Sequence, residues 1–376
     1  MKVYTITCHD VYNHGASLQA YALMKYLMKC GHDVEIIDYK PNYLSNHYKL
    51  LSIDNPKWAK SVFTKFIYLT LKLPGRLQGL RRKKSFDKFT TTYLRLTNFH
   101  YYSNEDLKKN LPIADAYICG SDQIWNSSFE NGKDPAFYLN FAPEDKVKAS
   151  YAASFATDSI SPEITPVVKK NLERLDEISV REKSGIKIIG SMGISRAVNV
   201  VDPTLLLTRE EWNKIGNQKF NGNYILIYDF DNSNLIKKVA MDIAKEKGYQ
   251  IYSINPGNIK YADKYFKYVG PDTFISLIRD AAFVISNSYH AAVFSVLYRK
   301  NFAIINRNES INTRMRDFLI EMKLGDRLID ENYDSGKLLS KVNHGESEKI
   351  LQEKIVFSKE YLKDIMISER GMRKVL

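Results

Sequence analysis

No stretch of this chain approaches the ~20 consecutive apolar residues that span a bilayer, so a transmembrane helix is not expected. Cysteine is scarce. Cys8, Cys30 and Cys119 stand far apart with no CxxC pair, which argues against a disulfide framework and against a structural zinc site. There are seven histidines and no HExxH pattern, and His9 with Asp10 is too sparse for a metal site. Neither GxSxG nor a GxxxxGKS/T loop occurs, and NHGASLQ (Asn13–Gln19) holds a single glycine where a dinucleotide loop needs three. The opening apolar run is too short for a secretory signal and reads as a first strand. These absences fit a cytoplasmic protein with no metal and no resident cofactor.

What is present is ordinary for a globular protein in kind and large in amount. Hydrophobic residues make up 44% and charged residues 26% of 376 positions, more than one core usually holds, so two domains are expected. The net charge of +12 calls for an anionic partner: nucleic acid, a membrane surface, or small phosphorylated and carboxylated ligands. Nucleic acid is the weakest of these, because the cations crowd into one insertion without a recognised binding motif.

Strand and helix patterns alternate. KVYTITC, the helix LQAYALMKYLMKCG and DVEIIDY open an α/β unit, with Gly31 placed to end the helix. ADAYIC, KASYAASFA, RLDEISVRE and AVNVVDPTLLL continue it. A second series follows Trp212: YILIYDF, the helix LIKKVAMDIAKEKG, YQIYSIN and a short KYVGP. It continues with DTFISLIRDAA capped by Asp272, then FVISNS, HAAVFSVLYRK and FAIIN. The expected architecture is α/β, two Rossmann-like domains in a GT-B-like arrangement with a cleft between them. Residues 1–208 form the first domain, 209–330 the second, and 331–376 a closing helical segment. A basic insertion at about 45–110 reads as helical, broken near Pro74-Gly75. Its stretch Trp58–Lys88 can set Trp58, Val62, Phe66 and Leu69 on one face beside Lys60, Lys65, Lys72 and Arg81–Lys84. That face fits either packing on the first domain or peripheral contact with an anionic membrane.

Candidate functional residues cluster at strand ends. His290 follows Ser286, Asn287 and Ser288 and begins an apolar helix, where free N–H groups and the helix dipole favour an anion. The same position also suits a histidine that merely caps the helix. In GSDQIWN, Asp122 suits a turn, whereas Gln123 and Trp125 suit hydrogen bonding to and stacking on a sugar. Arg181 in SVRE offers a planar fork for carboxylate or phosphate, unless it only pairs with Glu182 at the surface.

In order along residues 3–325, the motifs NHGASLQAYAL, ADAYICGSDQIWN, SYAASFA, SVREKSG, VDPTLLL and SNSYHAAVFSVLYRKNFAII resemble the polysaccharide pyruvyl transferase family. The resemblance implies a GT-B-like enzyme that moves a pyruvyl group from phosphoenolpyruvate to a sugar of capsule, exopolysaccharide or cell-wall glycan, usually as a cyclic ketal. It places catalysis at His290 and Arg181. The donor falls to Ser286, Ser288 and a downstream arginine, Arg307 or Arg314, and the acceptor, a glycan or lipid-linked glycan, to Asn13, Gly15, Asp122, Gln123 and Trp125. Tyr289 and Ala291 flank the histidine where the family more often has phenylalanine and glycine. A nucleotide-sugar glycosyltransferase would use the same fold with a diphosphate at the same helix.

Overall fold

The computed structural model describes residues 1–45, 61–255, 257, 259–309 and 311–367. Two parallel sheets carry the chain. The first contains β1 (Lys2–Ile6), β2 (Asp33–Tyr39), β3 (Leu96–Tyr101), β4 (Ala116–Cys119) and β5 (Val147–Ser150), in the order β3-β2-β1-β4-β5. A short pair, β6 (Ser179–Val180) and β7 (Val198–Asn199), extends it through the bridges Ala149–Glu177 and Ala153–Val180. The second contains β8 (Tyr224–Tyr228), β9 (Gln250–Ser253), β10 (Lys264–Tyr265), β11 (Phe283–Ser286), β12 (Asn301–Ile305) and β13 (Leu328–Ile329), ordered β10-β9-β8-β11-β12-β13. β4, β8 and β11 are buried along their whole length. Helices cover both faces of such strands, which is why they read as unbroken apolar runs.

The helices around these sheets include α1 (His14–Lys29), α2 (Val62–Tyr93), α3 (Lys183–Ser191), α4 (Asn234–Lys247), α5 (Pro271–Asp280), α6 (Tyr289–Leu297), α7 (Thr313–Glu321) and α8 (Gly345–Ile367). α1 ends at Cys30, and Gly31 takes the left-handed conformation at φ 88° that a glycine adopts without steric cost. α8 returns to the first sheet, where Tyr361 donates to the Ser150 carbonyl and Ser358 accepts from the Val201 amide. One apolar core runs from the first sheet through Trp212 and α5 to the second sheet and on to α8.

Four local expectations need correction. α2 runs unbroken through residues 74 and 75. The carbonyl that a proline four residues on cannot bond belongs to Thr70, an exposed residue. The inserted region also contributes β3, an edge strand of the first sheet. Gly270, with extended backbone, precedes Pro271 at the head of α5, and Asp272 sits in the first turn instead of capping it. The short strand before α5 is Lys264–Tyr265, and residues 267–270 of KYVGP are loop.

Candidate active site between the two sheets

β11 ends at Ser286, and Ser288 caps α6, its Oγ accepting from the Ala291 amide at 3.5 Å. His290 is therefore the second residue of the helix and not its cap. Across the cleft, Asn13 caps α1, with Oδ1 accepting from the amides of Gly15 (2.9 Å) and Ala16 (3.4 Å). A Cβ placed on Gly15 would lie 1.9 Å from His290 Nδ1. The heads of two helices, one from each sheet, thus meet at one imidazole, and both direct positive dipole ends there.

Behind the imidazole lies a buried charge network. His290 Nε2 approaches Asp202 Oδ2 at 3.4 Å without an aligned hydrogen bond. Asp202 also accepts from Arg181 Nη1 (2.8 Å) and, through Oδ1, from the Thr204 amide and hydroxyl. Burial pushes the Asp202 carboxyl up, but His290 and Arg181 outweigh it and hold the group well below the usual carboxylate range. Arg181 lies 4.4 Å over the Tyr289 ring, and its Nε and Nη2 are buried without hydrogen-bond partners. Burial works against its charge, yet the surrounding groups, Asp202, Asp122 and Glu182 among them, raise its pKa. Glu182 is buried too, with Oε1 accepting from the Ser154 hydroxyl and the Phe155 and Ala156 amides. Burial pushes its carboxyl above the ordinary value.

In front of His290 opens a cavity of about 250 Å³ lined by Asn13, Asp122, Gln123, Asn287, Ser288, Arg307 and Arg314. Val11, Leu44, Phe129 and Phe230 give it an apolar side. Cavities of about 540 and 680 Å³ lie elsewhere, but neither gathers arginines at a helix terminus. Arg314, from the start of α7, stands 3.5 Å from Asp122 and has a buried, unpartnered Nε. With its amide turned so that the oxygen faces α7, Gln123 accepts from both Arg314 Nη atoms at 2.9 and 2.7 Å. Burial, then the nearby Arg181, lowers the Arg314 pKa to about 10. Arg307 stacks 4.8 Å over Phe230 and pairs with Glu309 at 3.2 Å, closer to solvent.

The fold brings Asn13, Gly15, Asp122, Gln123, Ser288, His290, Arg307 and Arg314 together, from motifs up to about 300 residues apart. Three expected residues sit elsewhere. Trp125 is fully buried, donates Nε1–H to the Phe137 carbonyl and stacks on Tyr138, so it builds the core and faces no sugar. Ser286 is consumed by the turn, donating to the Tyr228 carbonyl and accepting from the Ser288 amide. Arg181 does not line the cavity; it stands one layer behind, holding Asp202 and Tyr289. Its pairing with Glu182 is buried, not superficial.

Asp202 and Tyr289 are the residues that reading the sequence missed as parts of the site. The aspartate did leave a signal, since Asp-Pro-Thr is a capping turn, and its Oδ1 does cap Thr204. Nothing in that turn says that Oδ2 faces a histidine 88 residues on.

Two stacked parallel α/β units with a basic, helix-headed cleft between them define a GT-B-type architecture. A putative UDP-N-acetylglucosamine 2-epimerase from Listeria monocytogenes superposes with TM-score 0.52 at 9% identity, covering 96% of this chain and 90% of that one. The UDP-GlcNAc 2-epimerase from Neisseria meningitidis gives TM-score 0.48 at 9% identity, covering 98% and 100%. Among curated proteins no sequence matches. The family profile for polysaccharide pyruvyl transferase matches residues 13–309, and this chain belongs to that family. It is a pyruvyl transferase with a GT-B fold.

Proposed function

We propose that the chain transfers the pyruvyl unit of phosphoenolpyruvate to two hydroxyls of a sugar, closing a cyclic ketal on a cell-surface polysaccharide or its precursor from the cytoplasmic side. Phosphoenolpyruvate is a substrate here, so no resident cofactor is needed. The observation that carries this reading is Arg314 beside His290. Its guanidinium is buried without full compensation and stands where two helix heads meet. An anion with both carboxylate and phosphate ends supplies the missing charge.

The chemistry asks for few groups. A proton adds to the donor's methylene carbon, leaving positive charge at the adjacent carbon. One sugar hydroxyl adds there and loses its proton, the bond to phosphate oxygen breaks, and the second hydroxyl closes the ring. Of the two hydroxyl protons lost, one is balanced by the methyl group formed and one departs with phosphate. Asp202 faces His290 Nε2, so Nδ1 is the nitrogen left to exchange a proton. Arg314 and the helix heads hold the anionic ends, while Asp122, Gln123 and Asn13 are left to orient the sugar.

The test pairs binding with turnover. Phosphoenolpyruvate at ~100 times its dissociation constant should raise stability by about 2.7 kcal/mol. Stabilisation by a nucleotide sugar and none by phosphoenolpyruvate moves the assignment to a glycosyltransferase. His290→Asn should lower ketal formation roughly 10²–10⁴-fold with the melting temperature nearly unchanged, because Ser288 remains as the cap. Wild-type turnover in that variant removes the histidine from catalysis.

A further inference from the structure

α2 leads two lives. Its second half is packed into the body of the molecule: Phe86 and Phe89 are buried, Arg82 donates to the Tyr12 carbonyl at 3.1 Å, and Ser85 donates to the Tyr268 carbonyl. Its first half carries large apolar side chains into solvent. Val62 is 83% exposed, Phe63 72% and Phe66 66%, with Leu73 and Leu77 exposed as well. At 3.6 residues per turn, Val62, Phe63, Phe66, Thr70, Leu73 and Leu77 share one face of about 100°. Tyr68 is buried on the other side. The polar member of that face is neutralised locally, since the Thr70 hydroxyl donates back to the Phe66 and Ile67 carbonyls. Exposed Lys65 and Lys72 line one edge of the stripe and Lys84 continues beyond it, and no acidic residue occurs between positions 62 and 86.

We infer that this half-helix lies flat on an anionic lipid bilayer. Charge complementarity chooses the occupant: an apolar stripe with lysines along one edge and no acidic residue in the same stretch of helix matches hydrocarbon beneath a negative headgroup layer. A single straight helix needs no shaped groove in such a partner. Among the described residues no helix is long and apolar enough to cross a membrane, so the contact is peripheral. Arg82 then ties the docked helix to the loop that precedes the Asn13 cap, which joins the membrane surface to the head of α1 in the cleft. Of the face read from the sequence, Val62 and Phe66 are exposed and Leu69 is half-buried, and Trp58 and Lys60 lie outside the described residues. The inference stands independently of which donor the cleft uses.

The test is flotation of the full chain with phosphatidylcholine vesicles, with and without phosphatidylglycerol, at low and high salt. The wild type should float with anionic vesicles at low salt and be released by high salt. Lys65→Gln/Lys72→Gln/Lys84→Gln should weaken binding by roughly fivefold for each cation removed. Phe63→Ser/Phe66→Ser should abolish flotation with anionic vesicles even at low salt and leave the melting temperature unchanged, since both rings are largely in water already. Equal flotation with neutral and anionic vesicles overturns the inference. So does a wild-type dimer in light scattering that Phe63→Ser/Phe66→Ser turns into monomer while anionic vesicles are ignored, which would make the stripe a contact between copies.

Discussion

Gly15 and His290 stand so close that a single added carbon on the glycine would fall 1.9 Å from the imidazole Nδ1, and 2.3 and 2.5 Å from Cγ and Cε1. Helix propensity alone favours alanine there by up to about 1 kcal/mol. Sterics reverse the sign, because the ring is boxed in by Asp202 and Tyr289 and has little room to withdraw. Gly15→Ala should therefore fold and lose turnover by roughly 10²-fold, the cost of displacing a catalytic group by about 1 Å. Ketal formation measured beside a melting curve checks it. Normal turnover in a folded Gly15→Ala protein would mean that the imidazole position does not matter.

Asp202 faces the Arg181 guanidinium and the His290 imidazole at once, and neither the guanidinium nor the carboxylate is exposed. Asp202→Asn keeps an acceptor for Thr204 but removes the charge. We expect a loss of about 3 kcal/mol, toward the low end for a broken buried pair, because Asp122 (3.7 Å) and Glu182 (3.9 Å) still face Arg181. Turnover should fall roughly 10²–10⁴-fold with the imidazole unsupported. The folded carboxyl is held below its unfolded value, so its contribution is present above about pH 4 and is lost as pH falls toward the folded value. Urea midpoints at neutral pH decide the stability claim; an unchanged midpoint refutes it.

His14 is fully buried among Phe86, Tyr228 and Phe274, and both ring nitrogens lack hydrogen-bond partners. Burial, with Arg82 adding repulsion, holds its pKa well below 6.5, so the folded state keeps it neutral. Below about pH 6.5 the unfolded chain takes up a proton that the folded chain refuses, and stability falls by up to about 1.4 kcal/mol per pH unit. His14→Phe keeps the stacking and deletes this slope. Denaturation midpoints of the two proteins should diverge as pH drops from 7 to 5, the variant being the more stable; parallel curves would show that His14 does not titrate this way.

Much of this molecule was legible in one dimension. Strand and helix alternation shows in the sequence because buried parallel strands are apolar on both faces and the covering helices on one, and both patterns are local. His290 at the head of α6 was readable for the same reason, since the small polar run before it can only end a strand and open a helix. The cap itself was not, because a serine and a histidine two positions apart can each be read as the cap and only the backbone turn selects Ser288.

Tertiary structure decided what faces what. Trp125 and Gln123 sit two residues apart, yet the tight turn at Asp122, with φ 67°, sends one into the core and leaves the other on the cavity. Arg181 and Arg314 look equivalent in sequence; packing put the first behind Tyr289 and the second on the cavity beside Gln123. Asp202 meets His290 only because two sheets stack with their helix heads opposed, bringing together side chains that no local pattern relates. Periodicity records which side of an element is buried. The identity of its neighbours depends on contacts between segments far apart in the chain, and those are fixed only when the whole core closes.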